Sequence, residues 1–319
     1  MTSVSPNSRR SSAVVFAYHN VGVRGLLTLL DAGIDVRLVV THTDNPQETL
    51  WFDRVADVAA DHHLPCITPA DPHAPEVIER LRAADPDFLF SLYYRHMLRP
   101  ELLSLPKHGA FNMHGSLLPR YRGRAPVNWA VLHGERQTGA TLHVMHAKPD
   151  AGPIVDQCAV PILLEDTARQ VFDKVTVAAE IVLARSVPRL MDGTATFTPQ
   201  VAIPGQYFGG RKPEDGRMPS TATAFQLHNL VRAVAPPDYP GAFFDSALGR
   251  VVIGRTRPLP HTHAAATPTF CLRVDADRLC LHAVDGHCLD VLSATVDGHP
   301  LDVTTFAQRI GGETLRPHI

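Results

Sequence analysis

Three polar residues suggest a chemical centre in this chain. Asn112 and His114 lie two residues apart in the segment FNMHGSLLPRYRGRAP, and Asp150 follows later in KPDAGPIVDQ. Residues two apart in an extended segment point to the same face, so Asn112 and His114 would project together from one strand end, with Phe111 and Met113 on the other face. A carboxamide can donate to a developing oxyanion, an imidazole can move protons and a carboxylate can orient the imidazole. These residue types suit acyl transfer to an amine.

The same residues also have an ordinary structural interpretation. An N-x-H pair can lie in a turn or at a helix cap, and Asp150-Ala-Gly can form a turn. Ser116 follows His114 in HGSLLP, but the G-x-S-x-G elbow that would support a nucleophile does not surround it, so we predict a turn role for Ser116. On residue types alone, both the chemical and the structural interpretation stay open.

The elements that must position these residues indicate an α/β fold. Short apolar segments at 12–19, 34–40 and 87–93 are typical of buried strands, and they alternate with helical spacing at 49–63 and 74–84. That alternation predicts a Rossmann-like, mostly parallel sheet. The glycines after the first strand do not form G-x-G-x-x-G, so we do not expect nicotinamide binding.

The chemical segment is predicted to begin with a strand at 109–114 and to turn through Pro119 and Gly123. A helix would start at Pro126, because proline suits the first helical turn. A long helix would then close the first domain. Two more strands are predicted at 140–145 and 154–162, and the long helix is predicted at 167–193.

The chain divides into segments of different composition. The run 198–222 is rich in Pro, Gly and polar residues, and we predict a linker there. We expect a disordered start at 1–12, a catalytic domain at 13–197 and a second domain at 223–319. Short strands separated by Gly and Asp turns predict a small barrel for the second domain.

Charge, cysteines and hydropathy exclude several classes of protein. The net charge of −2 and the isoelectric point near 6.8 give no global basic field, so we expect no nucleic-acid partner. The five cysteines are scattered without C-x-x-C spacing, which argues against a structural zinc or a disulfide framework and favours the cytoplasm. No apolar stretch approaches the roughly 20 residues of a membrane helix, and we do not expect the polar start to be a signal peptide.

Several segments resemble one protein family. HGSLLPRYRGRAP resembles the signature of the folate-dependent formyltransferases. The resemblance to this family extends over about residues 13 to 255. THTDNP (41–46), SLYYRH (91–96) and HNLVRAVAPPDYPGAF (228–243) are similar to the subgroup that formylates UDP-4-amino-4-deoxy-L-arabinose, known as the first half of a bifunctional polymyxin-resistance enzyme. Methionyl-tRNA formyltransferase is more distantly similar.

The resemblance implies a fold, a reaction and a catalytic centre. It implies a formyltransferase domain followed by an OB-like β-barrel. It implies formyl transfer from 10-formyltetrahydrofolate to the 4-amino group of a UDP-amino sugar, in lipid A modification, without a metal. Asn112, His114 and Asp150 match the catalytic residues. His114 would handle protons, and Asn112 with protonated His114 would hold the oxyanion.

The resemblance also implies ligand contacts around this centre. Arg124 matches a folate-contacting residue. Other positions match folate contacts made through the main chain: His96, Met97, Leu98, His146, Ala147, Lys148, Pro149 and Asp150. Guanidinium groups beside the site suit a diphosphate or the folate glutamate tail. For the arginines that follow His114 a solvated basic loop is equally open, and for Tyr94 core packing is equally open. The residues proposed for the substrate are Tyr94, Arg120, Arg122 and Arg211.

The sequence leaves more than one function open. A methionyl-tRNA formyltransferase carries a basic loop after its second strand, whereas Thr41 to Leu64 holds five acidic residues against the single Arg54. A hydrolase that releases formate and a non-catalytic nucleotide-sugar-binding module also stay open. The paired histidines at 62–63 and 261–263 lack a third ligand, so we expect no metal. The decarboxylase half of the bifunctional enzyme is expected to be a separate polypeptide.

Overall fold

The computed structural model describes residues 10–44, 52–201, 203–260, 267–311 and 314–318. The predicted disordered start and the His261–His263 pair therefore lie wholly or mostly outside the described residues. In these ranges the chain forms fifteen strands and eight α-helices, and a short 3-10 helix at Pro213–Gly216. The strands are β1 Ser12–Ala17, β2 Asp35–Val40, β3 Cys66–Ile67, β4 Phe88–Leu92, β5 Ala110–His114, β6 Arg122–Gly123, β7 Gln137–Val144, β8 Ile154–Pro161, β9 Tyr207–Phe208, β10 Ala242–Ser246, β11 Gly249–Pro258, β12 Cys271–Asp275, β13 Arg278–His282, β14 Cys288–Val296 and β15 His299–Pro300. The helices are α1 His19–Asp31, α2 Val55–Asp61, α3 Pro75–Ala83, α4 Pro100–Leu103, α5 Pro126–Leu132, α6 Ala168–Met191, α7 Ala224–Ala233 and α8 Val303–Ile310.

The chain folds into two compact units. The first unit comprises residues up to 123 together with 138–160 and 173–207, and the second comprises 124–137, 161–172 and the residues from 208 onward. The domain limits predicted at residues 197 and 223 remain a prediction.

A seven-stranded sheet forms the centre of the first unit in the described ranges. Its order is β3-β2-β1-β4-β5-β7-β8. The pairs β1–β2, β1–β4 and β4–β5 are parallel, whereas β7 runs antiparallel to β5. The predicted fold class, a Rossmann-like and mostly parallel sheet, is therefore confirmed.

Burial explains why these segments form strands. All six residues of β1 and all five of β4 are buried, as expected for central strands covered on both faces. Helix α1 lies close to this sheet at Gly25, where a Cβ atom would come within 2.6 Å of Leu92 Cδ1. The missing side chain of Gly25 therefore lets α1 approach β4.

The helix predicted at 49–63 is shorter in the structure. Residues 49–51 lie outside the described ranges, residues 52–54 are not helical, and α2 spans Val55–Asp61. The Asp53 amide donates to the Asn20 side chain over 2.9 Å, and Arg54 is extended. This side-chain contact draws the backbone out of the helical conformation just before α2 begins.

The second unit holds an antiparallel sheet in its described part, in the order β10-β11-β14-β13-β12 with β15 beside β14. Its curled half-barrel form agrees with the predicted barrel-like second domain. Helix α7, which the sequence analysis did not predict, begins with a capping box in which Thr223 and Gln226 bond to each other's backbone amides. No helix within the described ranges has both the length and the apolarity needed to cross a membrane.

Candidate active site

Asn112 and His114 occupy the last part of β5, between the parallel strand β4 and the antiparallel strand β7. Phe111 and Met113 are fully buried, while Asn112 is half-buried and His114 is 6% exposed. Because side chains alternate along a strand, Asn112 and His114 share one face. The strand therefore positions the two polar groups together, as the sequence predicted.

The His114 ring lies between two oxygen acceptors. Its Nε2 is 2.8 Å from the Tyr121 carbonyl oxygen, and its Nδ1 is 3.5 Å from Asp150 Oδ1. A carbonyl oxygen only accepts, so we assign the Nε2 proton to this bond. Nδ1 is consequently the nitrogen that can gain or lose a proton, and it faces the carboxylate.

A hydrogen-bond network fixes the turn that follows β5. Ser116 Oγ donates to the Arg120 carbonyl over 2.7 Å, and Thr141 Oγ1 donates to the Ser116 carbonyl over 2.6 Å. Gln157 Nε2 donates to Thr141 Oγ1 over 2.8 Å. The predicted turn role of Ser116 is confirmed. These bonds hold the loop that carries the Tyr121 carbonyl against His114.

Asp150 carries a largely buried carboxylate with three neighbouring groups. Its side chain is 12% exposed, and Oδ2 accepts a hydrogen bond from the Gly123 amide over 2.8 Å. Burial alone would raise the pKa of Asp150, but the charge of a protonated His114 ring and the hydrogen bond from the Gly123 amide outweigh burial and hold this pKa well below its usual range. The carboxylate is therefore ionised at neutral pH. Its backbone φ of +50° is unusual for a residue with a side chain.

His143 completes the cluster, and the sequence analysis missed it. It lies on β7 directly opposite Asn112, and its Nε2 is 3.1 Å from Asn112 Nδ2 and 3.6 Å from Asp150 Oδ1. Its Nδ1 is 2.9 Å from the Val144 carbonyl, so we assign the proton to Nδ1 and the acceptor role to Nε2. The one signal in the sequence was a histidine inside an apolar strand. Its partner depends on the strand register.

The other predicted folate contacts lie on two loops of the first unit. His96 and Met97 are exposed after β4, and Leu98 is buried in the core. The stretch from His146 to Lys148 is exposed, and Pro149 is half-buried. Gln200 Nε2 donates to the carbonyl oxygen of Asp150 over 3.2 Å and thereby anchors the second loop.

Tyr94 is buried next to these loops. Its ring stacks on the His42 ring with centroids 4.1 Å apart, and its hydroxyl is buried without a hydrogen-bond partner in the part of the chain that the structure describes. Burial raises the pKa of Tyr94 to about 12. A buried hydroxyl without a partner is costly, whereas the ring itself packs in the hydrophobic core against Phe16, with centroids 5.2 Å apart.

An aromatic cluster, formed by Tyr18, His42, Tyr94 and His96, lies where β1, β2 and β4 end. These strands are neighbours in the sheet, and the His42 ring also contacts the rings of Tyr18 and His96 at centroid distances of 5.0 and 4.9 Å. Burial, with help from His96 and Arg95, lowers the pKa of His42 to about 4. Neutral His42 Nε2 accepts a hydrogen bond from the Arg95 amide over 3.0 Å.

The four candidate arginines occupy different environments. Arg120 is exposed, whereas Arg122 is only 8% exposed and its Nη2 lies 3.4 Å from the Ile203 carbonyl. The open interpretation of Arg122 as part of a solvated loop is therefore wrong. In the second unit, Arg124 is exposed beside Gly210.

Arg211 is packed within the second unit. Its guanidinium lies 4.9 Å from the centre of the Trp129 ring, and its Nη2 donates to the Asp215 carbonyl over 3.0 Å. Burial lowers the pKa of Arg211, although the group stays charged at neutral pH. Arg211 and Arg124 thus belong to the second unit, while Asn112, His114 and Asp150 are brought together in the first. In the described ranges, no three His, Cys, Asp or Glu side chains meet in a geometry that would hold a metal.

The chain belongs to the formyl transferase family. The family model described as formyl transferase matches residues 19–187, and the model described as formyl transferase, C-terminal domain, matches residues 211–311. The prediction that the chain is a formyltransferase enzyme is thereby confirmed. These matches do not distinguish subgroups of the family, so membership of the UDP-4-amino-4-deoxy-L-arabinose subgroup stays a proposal.

Three solved structures illustrate the similarity of fold. An N-formyltransferase from Helicobacter canadensis, in complex with folinic acid and dTDP-3-aminofucose, aligns with a TM-score of 0.67 at 19% identity, over 89% of this chain and 99% of that one. The sugar 3N-formyltransferase WlaRD, solved with dTDP and 5-N-formyl-THF, aligns with a TM-score of 0.67 at 18% identity, over 89% of this chain and 97% of WlaRD. HypX from Aquifex aeolicus, in complex with tetrahydrofolic acid, gives 0.60 at 16% identity, over 94% of this chain but only 46% of HypX.

The buried carboxylate predicts a pH dependence of stability. The folded-state pKa of Asp150 lies below its unfolded value of about 3.9, so its stabilising effect is complete above that value and is lost as the pH falls below it. We expect Asp150→Asn to lower the free energy of unfolding by roughly 1 to 3 kcal/mol at neutral pH. Urea unfolding should show this difference shrinking as the pH falls from about 5 to about 3.

The matched control for that measurement is Asp277→Asn, because the Asp277 side chain is 91% exposed. Its substitution should change the unfolding free energy little at either pH. A difference between the natural chain and Asp150→Asn that stays constant down to about pH 3 would contradict the assigned ion contacts.

The contact between His143 and Asn112 predicts a positioning effect on formyl transfer. His143→Leu removes the acceptor that orients the Asn112 amide, whereas His143→Gln keeps an acceptor at this place. We expect kcat to fall on the order of tenfold or more in the Leu variant, with KM changed less, and to recover in part in the Gln variant. Steady-state kinetics and a melting curve for each variant provide the check. Equal losses in both folded variants would rule out this role.

Proposed function

We propose that this enzyme transfers the formyl group of 10-formyltetrahydrofolate to the primary amine of a nucleotide-linked amino sugar. The observation that carries the proposal is the convergence of Asn112, His114 and Asp150 in one cluster of a formyl transferase chain. The similar structures with folinic acid and dTDP-3-aminofucose, and with dTDP and 5-N-formyl-THF, support a folate donor and a nucleotide-sugar acceptor.

The residues present fit a folate donor. When bound, the donor supplies a formyl carbonyl attached to a nitrogen that can leave. We propose that the backbone of His96–Leu98 and of His146–Asp150 holds it. The buried hydroxyl of Tyr94 without a partner in the described chain, and the exposed loop after it, support a polar ligand beside these residues.

The proposed chemistry uses the cluster in three ways. As the acceptor amine nitrogen bonds to the formyl carbon, the Asn112 amide donates to the oxygen that becomes negative. His114 Nδ1 takes the proton that the amine gives up, and it returns a proton to the departing folate nitrogen as the old carbon–nitrogen bond breaks. The ionised Asp150, 3.5 Å away, stabilises the protonated ring.

His143 has a positioning role in this proposal. Its Nε2 accepts from Asn112 Nδ2, which fixes the direction in which the second amide hydrogen points. A donor that is held in place before the reaction costs no reorganisation as charge develops. His143 therefore acts through Asn112 and does not itself contact the reacting atoms in this scheme.

The acceptor is proposed to be a UDP-amino sugar, with UDP-4-amino-4-deoxy-L-arabinose as the first candidate. A tRNA acceptor would require free cations after β2. Arg54, the only basic residue other than histidine between Thr41 and Leu64, lies 2.7 Å from Asp44 and 3.5 Å from Asp57. A guanidinium already paired with carboxylates is a poor phosphate ligand. This favours a small acceptor.

A panel of acceptors tests the proposed function. The full chain would be incubated with 10-formyltetrahydrofolate and, separately, with UDP- and dTDP-linked amino sugars, with methionyl-tRNA and with no acceptor. We expect a mass gain of one formyl group on a nucleotide-linked sugar and no gain on the tRNA. Formylated tRNA would replace the proposal with a tRNA-directed enzyme. Release of formate without an acceptor at the same rate would indicate a hydrolase.

The catalytic roles predict the effect of removing the imidazole. His114→Ala should lower kcat on the order of a hundredfold or more, because the group that takes the proton from the amine and returns it to the folate nitrogen is lost. Folate binding, measured by calorimetry, should survive. Arg250→Ala, an exposed substitution in the second unit, serves as the control. Unchanged turnover in a folded His114→Ala enzyme would exclude the mechanism.

A further inference from the structure

The antiparallel sheet of the second unit has two chemically different faces. Along β12, β13 and β14, Leu272, Leu281 and Leu289 point into the hydrophobic core. On the other face, Cys271, His282 and Cys288 lie directly opposite one another on the three strands. Alternation along each strand produces this separation. The thiol and imidazole groups are therefore gathered on the face away from the core.

On that face, a cysteine, a histidine and an aspartate are connected in series. Cys288 Sγ lies 3.0 Å from His282 Nδ1, and His282 Nε2 lies 2.6 Å from Asp275 Oδ2. A carboxylate only accepts, so we assign the Nε2 proton to the bond with Asp275 and leave Nδ1 to accept from the thiol. Arg273 Nε donates to Asp275 Oδ1 over 2.8 Å and also lies 3.0 Å from His282 Nε2; with the Nε2 proton directed to Asp275, we assign the Arg273 bond to the carboxylate.

This order of groups is the one that activates a nucleophile. An imidazole beside a thiol can take its proton, and an acid on the opposite side of the ring stabilises the imidazolium that forms. Arg273 in turn fixes the carboxylate of Asp275. Burial by itself disfavours the thiolate. On the same face, burial, with Asp275 and Asp290, raises the pKa of Cys280 to about 11.

We propose that Cys288 is a nucleophilic thiol that undergoes exchange with low-molecular-weight disulfides, with His282 as its base. The Cys288 proton moves to His282 Nδ1, and the thiolate attacks one sulfur of the disulfide. A new sulfur–sulfur bond forms at Cys288 while the original bond breaks. The departing thiolate takes the proton from His282. Cys288 ends as a mixed disulfide, and one thiol is released.

Thiol–disulfide exchange fits this site better than acyl transfer. Acyl transfer needs donors aimed at an oxyanion, whereas exchange needs a thiolate and access to a disulfide sulfur. Cys288 is 3% exposed and follows directly after the turn Ala283–His287, so exchange at its sulfur requires local opening of this strand end. The exposed Arg316, whose charge lowers the pKa of the neighbouring Cys271 thiol against the effect of burial, favours a disulfide that carries carboxylates.

The reactivity of the five cysteines tests the proposal in the full chain. Glutathione disulfide is the probe, and the rate at each cysteine is followed by mass spectrometry of peptides. Exposure alone predicts that the half-buried Cys66 and Cys158 react before Cys288. We expect the opposite order, with Cys288 faster than both by about tenfold. Cys280, buried on the same face, should react slowest. A Cys288 rate below those of Cys66 and Cys158 overturns the proposal.

Two variants separate activation from burial. His282→Gln should lower the Cys288 rate at least about tenfold, because the base is lost. A merely structural His282 would give the opposite result, since loosened packing exposes the thiol and speeds its reaction. Asp275→Asn, at a partly exposed position, gives the same test with less disturbance of the core and decides the matter if His282→Gln does not fold. Unchanged or faster reaction in folded Asp275→Asn contradicts the proposal.

Discussion

The buried carboxylate of Asp150 is the constraint on which the candidate active site depends. A charge removed from water must be compensated by nearby donors and cations, otherwise it takes up a proton. Here the Gly123 amide donates to the carboxylate and the His114 ring faces it, while His143 Nε2 lies 3.6 Å from Oδ1. Gly123 lies in β6, His114 in β5 and His143 in β7, so one carboxylate contacts three strands.

The reversal of strand direction at β7 gives the site its second histidine. A parallel neighbour of β5 would need a crossover connection, whereas the antiparallel β7 sets His143 directly opposite Asn112. Opposite residues in an antiparallel pair lie close enough for side chains to bond. The same geometry sets Thr141 opposite His114, where its hydroxyl holds the turn that carries the Tyr121 carbonyl. The site is thus supported by cross-strand pairs.

Two polar sites of different chemistry occur in this chain. In the first unit, the imidazole of His114 faces an acid on one side and a carbonyl on the other. In the second unit, the imidazole of His282 faces a thiol and an acid. The nitrogen of His114 that faces Asp150 suits proton exchange with a bound amine, while His282 Nδ1 is committed to the Cys288 thiol. The partner of each ring decides what the ring can do.

Local periodicity was enough to predict the alternation of strands and helices, and two short segments were enough to predict the turn at Ser116 and to single out Asn112, His114 and Asp150. The helix predicted at 49–63 was longer than α2, since the Asn20 side chain that accepts from the Asp53 amide is distant in sequence. The contact of His143 with the cluster and the burial of Arg122 became visible only in the folded chain. Both follow from strand register and packing between segments far apart along the chain, which a linear pattern does not encode.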